Sequence, residues 1–274
     1  MSKWIYYNHA LKPDLAPSET VDEADINKAG FWKMRGGGIS LFASWVTDFD
    51  SDRETAWWYC IKDTPYDISA LKAKRRYEIN KGLKNFTVEI INPTKYKREL
   101  FAINVEAYKS YPPQYRPKIN EDIFYEGIKH WEFDVFGAFE KNTGELRGYA
   151  LLKKHKVNID FGTLRVMPEY EKQGINAALV ASVCEYYNDD IKNGMYLNDG
   201  SRPIIHETNF QEYLEKYFGF RKAYCKLHVC YRFPVGLAVR ILYPVRNIIH
   251  TKNPTLNRMK SLLKMEEYKR KSCK

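Results

Sequence analysis

Val166-Met167-Pro168-Glu169-Tyr170-Glu171-Lys172-Gln173-Gly174-Ile175-Asn176-Ala177-Ala178-Leu179 is the stretch from which the rest of the chain can be ordered. It begins where an alternating run, residues 157–166, stops at a proline, and it continues as residues 174–187, apolar nearly all round. The first pattern predicts a strand, the second a helix laid against a sheet. A strand that ends at Pro168, turns and opens a helix at Gly174 leaves backbone N–H groups aimed outward. Such groups suit a diphosphate or a carboxylate, and Gly174 would let an anion come close.

Outward from this stretch the pattern continues in both directions. Residues 86–91 read as a strand, and 95–110 and 121–131 as helices on either side of Pro112, Pro113 and Pro117. Residues 135–140 and 146–153 flank Lys141-Asn142-Thr143-Gly144, a hairpin turn. Beyond the central helix come a short strand at 195–197, a helix at 209–217 and a last strand at 220–231. Upstream, residues 67–84 place Ile68, Leu71, Ile79 and Leu83 on one helical stripe with Arg75 inside it. An Arg on an apolar side calls for a carboxylate or phosphate partner. Residues 1–66 are aromatic and turn-rich with a net charge of −3, and apolar alternation at 39–46 and 56–61 predicts short strands joined as a hairpin. Gly36-Gly37-Gly38 predicts a bend or close backbone approach, because no helix with a Lys and a Ser or Thr follows it as a phosphate loop requires.

The whole chain has 274 residues, 44% apolar and 15% aromatic, which excludes disordered, collagen-like and disulfide-scaffold classes. Its net charge of +10 is unevenly placed. Residues 235–274 hold ten Lys or Arg against Glu266 and Glu267, a net of +8, leaving +2 for residues 1–234. Any pull toward a polyanion therefore belongs to the tail. There, apolar residues 235–249 are broken by Pro244 and carry Arg240 and Arg246. Leu256, Met259, Leu262 and Leu263 then line one side of 255–271, with Arg258, Lys260 and Lys264 beside them. The combination predicts an interfacial anchor on an anionic membrane surface, with RNA (tRNA) as another polyanion and DNA not implied. The alternative is a tail that packs on the domain and ends in a solvated basic helix. No uninterrupted apolar run reaches the roughly 18 residues of a membrane span. Five widely spaced cysteines and no apolar leader predict free thiols in a reducing, cytoplasmic compartment, peripheral to the inner face of the membrane. Cys225, His228 and Cys230 do not offer the four converging ligands of a structural zinc, so no metal is expected.

The order strand, two helices, hairpin, strand, helix, strand, helix, strand resembles the GNAT superfamily of N-acyltransferases. Residues 166–179 resemble its acyl-donor motif, and Asn209-Phe210 through Phe218-Gly219-Phe220 its closing helix and turn. The resemblance implies an α/β (α+β) fold, a mixed, mostly antiparallel central sheet flanked by helices. It would be preceded by a small β-rich part at 1–66, extend over 67–234, and be followed by the basic helical tail at 235–274. It also implies an acyl-coenzyme A donor held by Val166, Gln173, Gly174, Ile175, Asn176 and Asn209. The sequence departs from the family pattern at Glu171, Asn176 and Glu215, where Gln or Arg, Gly or Ala, and a Tyr general acid are usual. Leu71-Lys72-Ala73-Lys74-Arg75-Arg76-Tyr77-Glu78-Ile79-Asn80-Lys81-Gly82-Leu83 is similar to the basic helix of Fem-type aminoacyltransferases of cell-envelope biosynthesis. That narrower resemblance implies transfer of an acyl or aminoacyl group, from coenzyme A or aminoacyl-tRNA, to an amino sugar of a nucleotide-linked or lipid-linked glycan precursor. A catalytically silent, membrane-tethered binding module is the remaining alternative.

Acyl transfer to an amine needs a base and donors for the developing oxyanion. Residues 198–209 concentrate such groups. His206 or Glu207 is the expected base, Asp199 a partner or amino-sugar ligand, and Arg202 a clamp on phosphate or carboxylate, with Arg75 a second anion ligand. The ordinary roles of helix cap, dipole partner and hydrogen-bonded core histidine compete for the same residues. Asp160, on the strand before the donor loop, is the next base candidate, against a plain solvent-facing strand position.

Overall fold

A computed structural model describes residues 3–33, 38–109, 111, 116–204, 209–247 and 254–273. In chain order they form strands β1 (Trp4–Tyr7), β2 (Ala10–Pro13), β3 (Phe42–Ser51) and β4 (Trp57–Lys62), then helix α1 (Ala73–Asn85) and β5 (Phe86–Ile90). Helices α2 (Lys97–Lys109) and α3 (Glu121–Ile128) lead to β6 (Asp134–Glu140), β7 (Leu146–Lys154) and β8 (Asn158–Val166). Next come α4 (Ile175–Tyr186), α5 (Asn188–Lys192), β9 (Tyr196–Ser201), α6 (Phe210–Phe218) and β10 (Arg221–Tyr231). The chain ends with α7 (Val235–Leu242) and α8 (Pro254–Ser272). It divides into two units, one of residues 1–60, 201–209 and 222–274, the other of 61–200 and 210–221.

In the second unit the strand order is β9-β8-β7-β6-β5, antiparallel except for the parallel pair β8 and β9. Lys141–Gly144 closes the β6–β7 hairpin, with the Gly144 N–H donating to the Glu140 carbonyl at 2.8 Å. One face buries Leu100 and Ile103 of α2 and Ile128 of α3 against Val135, Tyr149 and Leu151. The other is covered by α4, whose Ile175, Ala178, Leu179, Val180, Val183 and Cys184 are all fully buried, which explains a helix with no polar side. In β8 an extra residue, Gly162, stands between Phe161 and Thr163, which pair with Leu152 and Leu151 in β7. This is a bulge, and it turns the C-terminal half of β8.

In the first unit the order is β1-β2-β3-β10-β4. The expected strands at 39–46 and 56–61 are present, but they are not a hairpin. β10 lies between β3 and β4, pairing antiparallel with β3 from Tyr224↔Ser51 to Tyr231↔Phe42. Its alternate residues Ala223, Cys225, Leu227 and Val229 are buried on one face, where α7 and α8 pack. Leu262, Leu263, Met265 and Tyr268 of α8 join Val239 of α7, Phe42, Val46 and Trp57 in that core. The Ser272 hydroxyl accepts from the Leu227 N–H at 3.0 Å, fixing the end of α8 on the sheet. Leu262 and Leu263, expected in a membrane boundary, are thus inside the protein, and Met259 packs against them. Leu256, Arg258, Gly36 and Gly37 carry expectations that lie outside the described residues or side chains. Gly38 has φ +129°, and a Cβ there would meet the Tyr6 hydroxyl at 3.4 Å.

Candidate active site

β8 and β9 run side by side for only three positions, 158↔196, 159↔197 and 160↔198. β8 then continues to Val166 and β9 to Ser201 without pairing further with each other, so the sheet of the second unit opens between them. Asp160 sits at the last paired position. Its Oδ1 accepts from Asn158 Nδ2 at 2.6 Å and from Asn198 Nδ2 at 2.8 Å, and Oδ2 faces His155 Nε2 at 3.1 Å. These contacts tie Asp160 to both strands at the point where they part.

One residue further, Asp199 lies at the opening itself. Burial raises its carboxyl from the usual 3.8 to about 7, against a hydrogen bond from Gln211 that works the other way. Gln211 is a buried residue in the first turn of α6 and also donates to the Gly200 carbonyl at 3.4 Å. Gly200, at φ +90°, donates its N–H to Asn198 Oδ1 at 3.0 Å, which sets the path of the chain after Asp199. Phe161 of β8 meets Phe210 of α6 edge-on with centroids 6.2 Å apart, and Phe210 stacks on Tyr213 at 6.1 Å. A carboxyl held near neutrality in an apolar setting can take a proton at working pH and release it again.

The other expected site residues are distributed differently. His206 and Glu207 lie outside the described residues. Arg202, expected to clamp a substrate anion, lies among residues of the first unit. Its guanidinium stacks over Tyr268 at 4.2 Å and Trp58 at 5.9 Å, and Nη1 donates to the Ala56 carbonyl at 2.9 Å. Asn209 is exposed just before α6, and Arg75 is half-buried on α1 without an ion pair among the described residues. His228 stacks on Trp45 at 5.1 Å and bonds Thr47 Oγ1 at 2.8 Å, while Cys225 is buried in the core. Among the described residues no three His, Cys, Asp or Glu side chains are grouped for a metal ion.

The donor turn has the expected path, with a 3-10 turn at Pro168–Gln173, Gly174 left-handed at φ 88° and α4 starting at Ile175. Its neighbour is unexpected. A Cβ on Gly82 of α1 would lie 2.2 Å from the Gly174 carbonyl oxygen, and one on Gly174 would lie 2.9 Å from the Gly82 backbone. The two glycines let the backbones of α1 and α4 touch, and Asn85 Nδ2 donates to the Gln173 carbonyl at 3.0 Å beside them. Val166 and Ile175 are buried in the sheet–helix interface. The Asn176 Oδ1 is buried with no hydrogen-bond donor, and Glu169 and Glu171 occupy the first turn. Two carboxylates, an orphaned acceptor and a filled space above Gly174 do not fit a coenzyme A diphosphate. No periodicity in the sequence pointed to Gly82 as a contact or to Gln211 as the partner of Asp199. The only signal was a glycine inside a helical stripe.

Residues 100–220 match the sequence model of the acetyltransferase (GNAT) family. The C-terminal domain of a protein described as a lysylphosphatidylglycerol synthetase, from Agrobacterium fabrum, superposes with a TM-score of 0.50 at 14% identity, over 86% of this chain and 82% of that one. L-PGS from Bacillus licheniformis aligns with a TM-score of 0.46 at 13% identity, over 76% and 67% of the two chains. FemX aligns with a TM-score of 0.46 at 10% identity, over 63% and 61%. No curated protein matches the chain in sequence. The forked strands, the bulged β8, the donor turn and the sequence match over residues 100–220 agree on a GNAT fold.

Proposed function

We propose that this protein transfers an activated acyl group to a primary amine, with Asp199 as the base that accepts the amine proton. The observation that carries this reading is a carboxyl raised to about 7 at the point where β8 and β9 part. In its ionised form Asp199 takes one proton from the bound ammonium, and the freed nitrogen lone pair attacks the acyl carbonyl carbon. The C–N bond forms and the bond from carbon to the leaving group breaks; the nitrogen gives up its second proton to the departing group, and Asp199 returns the first to water. We assign the amine to an amino sugar of a cell-envelope or surface-polysaccharide precursor, a choice supported by the Fem-like sequence of residues 71–83. The rate of amide formation should rise with pH through about 7 and then level, and Asp199→Asn should remove that rise together with most turnover. A variant that keeps the wild-type rate and profile overturns the assignment.

One observation favours aminoacyl-tRNA over other donors. α1 carries Lys74, Arg75, Arg76, Lys81 and Lys84 against Glu78 alone, and it touches the donor turn. Salt-sensitive binding of tRNA supports this second reading. Stabilisation by acyl-coenzyme A, with no tRNA binding, overturns it.

We place the reaction at an anionic membrane surface, through α7 rather than α8. Phe233, Leu237, Ile241 and Val245 recur every four residues along α7 and its flanks and are 82%, 53%, 63% and 44% exposed. Arg240 is exposed beside them, and Arg246, Lys264, Lys269, Arg270 and Lys271 outnumber Glu266 and Glu267 on the adjoining surface. Apolar side chains in the acyl boundary with cations at headgroup level fit an anionic bilayer. No helix among the described residues is long and apolar enough to cross one. The chain should sediment with phosphatidylglycerol vesicles and not with phosphatidylcholine vesicles. Leu237→Ser with Ile241→Ser should abolish this at unchanged melting temperature, and undiminished sedimentation overturns the placement.

A further inference from the structure

Arg165 lies on the part of β8 that β9 has left. Its guanidinium covers the ring of Tyr108 at 4.8 Å and that of Tyr111 at 5.8 Å. Nη2 donates to the Tyr108 hydroxyl at 3.2 Å and Nη1 to the Leu164 carbonyl at 3.2 Å, while Nε is buried with no acceptor. Tyr149, the cross-strand partner of Arg165 on β7, is buried, and its hydroxyl donates to the equally buried Asn104 at 3.5 Å. The surroundings are thus aromatic rings, one hydroxyl and one amide. Among the described residues no carboxylate pairs with Arg165, and the neighbouring stretch outside them, Ser110 and Pro112-Pro113-Gln114-Tyr115, contains none by sequence.

A buried guanidinium N–H without an acceptor is unfavourable unless an anion compensates it. The two tyrosine rings offset part of that cost. A fork of five N–H donors also has geometry, since it matches the two oxygens of a carboxylate or phosphate. Two other guanidinium groups of this chain meet carboxylates. Arg221 holds Asp63 through Nε at 3.1 Å, and Arg270 Nε holds Glu266 at 2.8 Å. Arg270 also covers the Tyr243 ring at 3.9 Å, but Arg165 differs from both in meeting no carboxylate among the described residues.

We propose that Arg165, Tyr108 and Tyr111 form a binding site for a terminal oxyanion, a phosphate or carboxylate, carried by the amine substrate. Arg165 supplies the bidentate fork, Tyr108 a hydroxyl that can turn toward the ligand, and the two rings a face that keeps the guanidinium plane fixed. That the amine substrate carries this oxyanion rests on the function proposed above, while the oxyanion site itself does not.

The test is calorimetric titration of the full chain with inorganic pyrophosphate and, separately, with glucuronate, at constant ionic strength. The first arm reports a phosphate ligand and the second a carboxylate ligand. Wild type should bind at least one of them saturably, and the preferred anion identifies the source. Arg165→Lys keeps the charge but loses the fork and should weaken that binding about tenfold or more. Tyr111→Ala, a change at the outer ring, should weaken it by a smaller factor, and melting curves of both variants report whether they are folded. Absence of saturable binding by both anions, or equal binding by folded Arg165→Lys, overturns the site. A chain that binds the anion yet transfers no acyl group keeps the site and loses the transferase reading. A chain that transfers but does not bind loses the site alone.

Discussion

Replacing Asp199 by Asn should change the pH dependence of stability in a direction that follows from burial. The carboxyl titrates at about 7 in the folded chain against 3.8 for an ordinary aspartate. Between these values the folded state holds a proton that the unfolded state has lost, so stability falls as pH rises. Below 3.8 both states are protonated and Asp199 costs nothing, and above about 7 both are ionised and the cost is constant. At about 1.4 kcal/mol per pH unit, the displacement amounts to about 4 kcal/mol on the alkaline side. Asn is uncharged throughout and of the same shape. Urea unfolding of both chains from pH 4 to pH 9 should therefore give curves that agree at the acid end. They should separate by up to about 4 kcal/mol in favour of Asp199→Asn near pH 7, then run parallel. A difference between the two that does not vary with pH would refute the reasoning, because it would mean that Asp199 ionises as freely in the folded chain as in the unfolded one. A difference of the opposite slope would point to a cation beside it.

Gly82→Ala should destabilise by about 2–3 kcal/mol and lower the melting temperature by roughly 5–10 °C, despite the better helix propensity of Ala, since the new methyl meets the Gly174 carbonyl. Unchanged melting would show that α1 can lift from α4 at little cost. The thiols of Cys184 and Cys225 are pushed up to about 12 by burial, so in the native chain a thiol reagent should label exposed Cys273 first and these two only on unfolding. Fast labelling of Cys184, read by peptide mapping, would contradict the packing of α4.

Much of the second unit was legible because its signals are local. A proline-stopped strand, a helix apolar all round and a four-residue turn each depend on near neighbours, and β8, α4 and the β6–β7 hairpin follow from them. The supposed hairpin at 39–61 failed because strand alternation carries no information on pairing. The partner that separates β3 from β4 is some 170 residues away in β10. The apolar side of α8 was read correctly as apolar, but only the core of the first unit shows what it meets. At the site, the cluster 198–209 drew attention to Asp199. The sequence could not show that α6 would bury it, nor that Arg202 would pack against Tyr268 and Trp58, because both effects are tertiary. Arg165 was passed over for a similar reason, since its two tyrosines are far from it in the chain.

The contact between Gly82 and Gly174 also sets a phase. A one-residue slip of α1 along α4 would turn it by about 100° and bring the side chain of Lys81 or Leu83 against a carbonyl oxygen. The pair of missing side chains thus works as a keyway, and it fixes which side of α1 faces the donor turn as well as how near it comes.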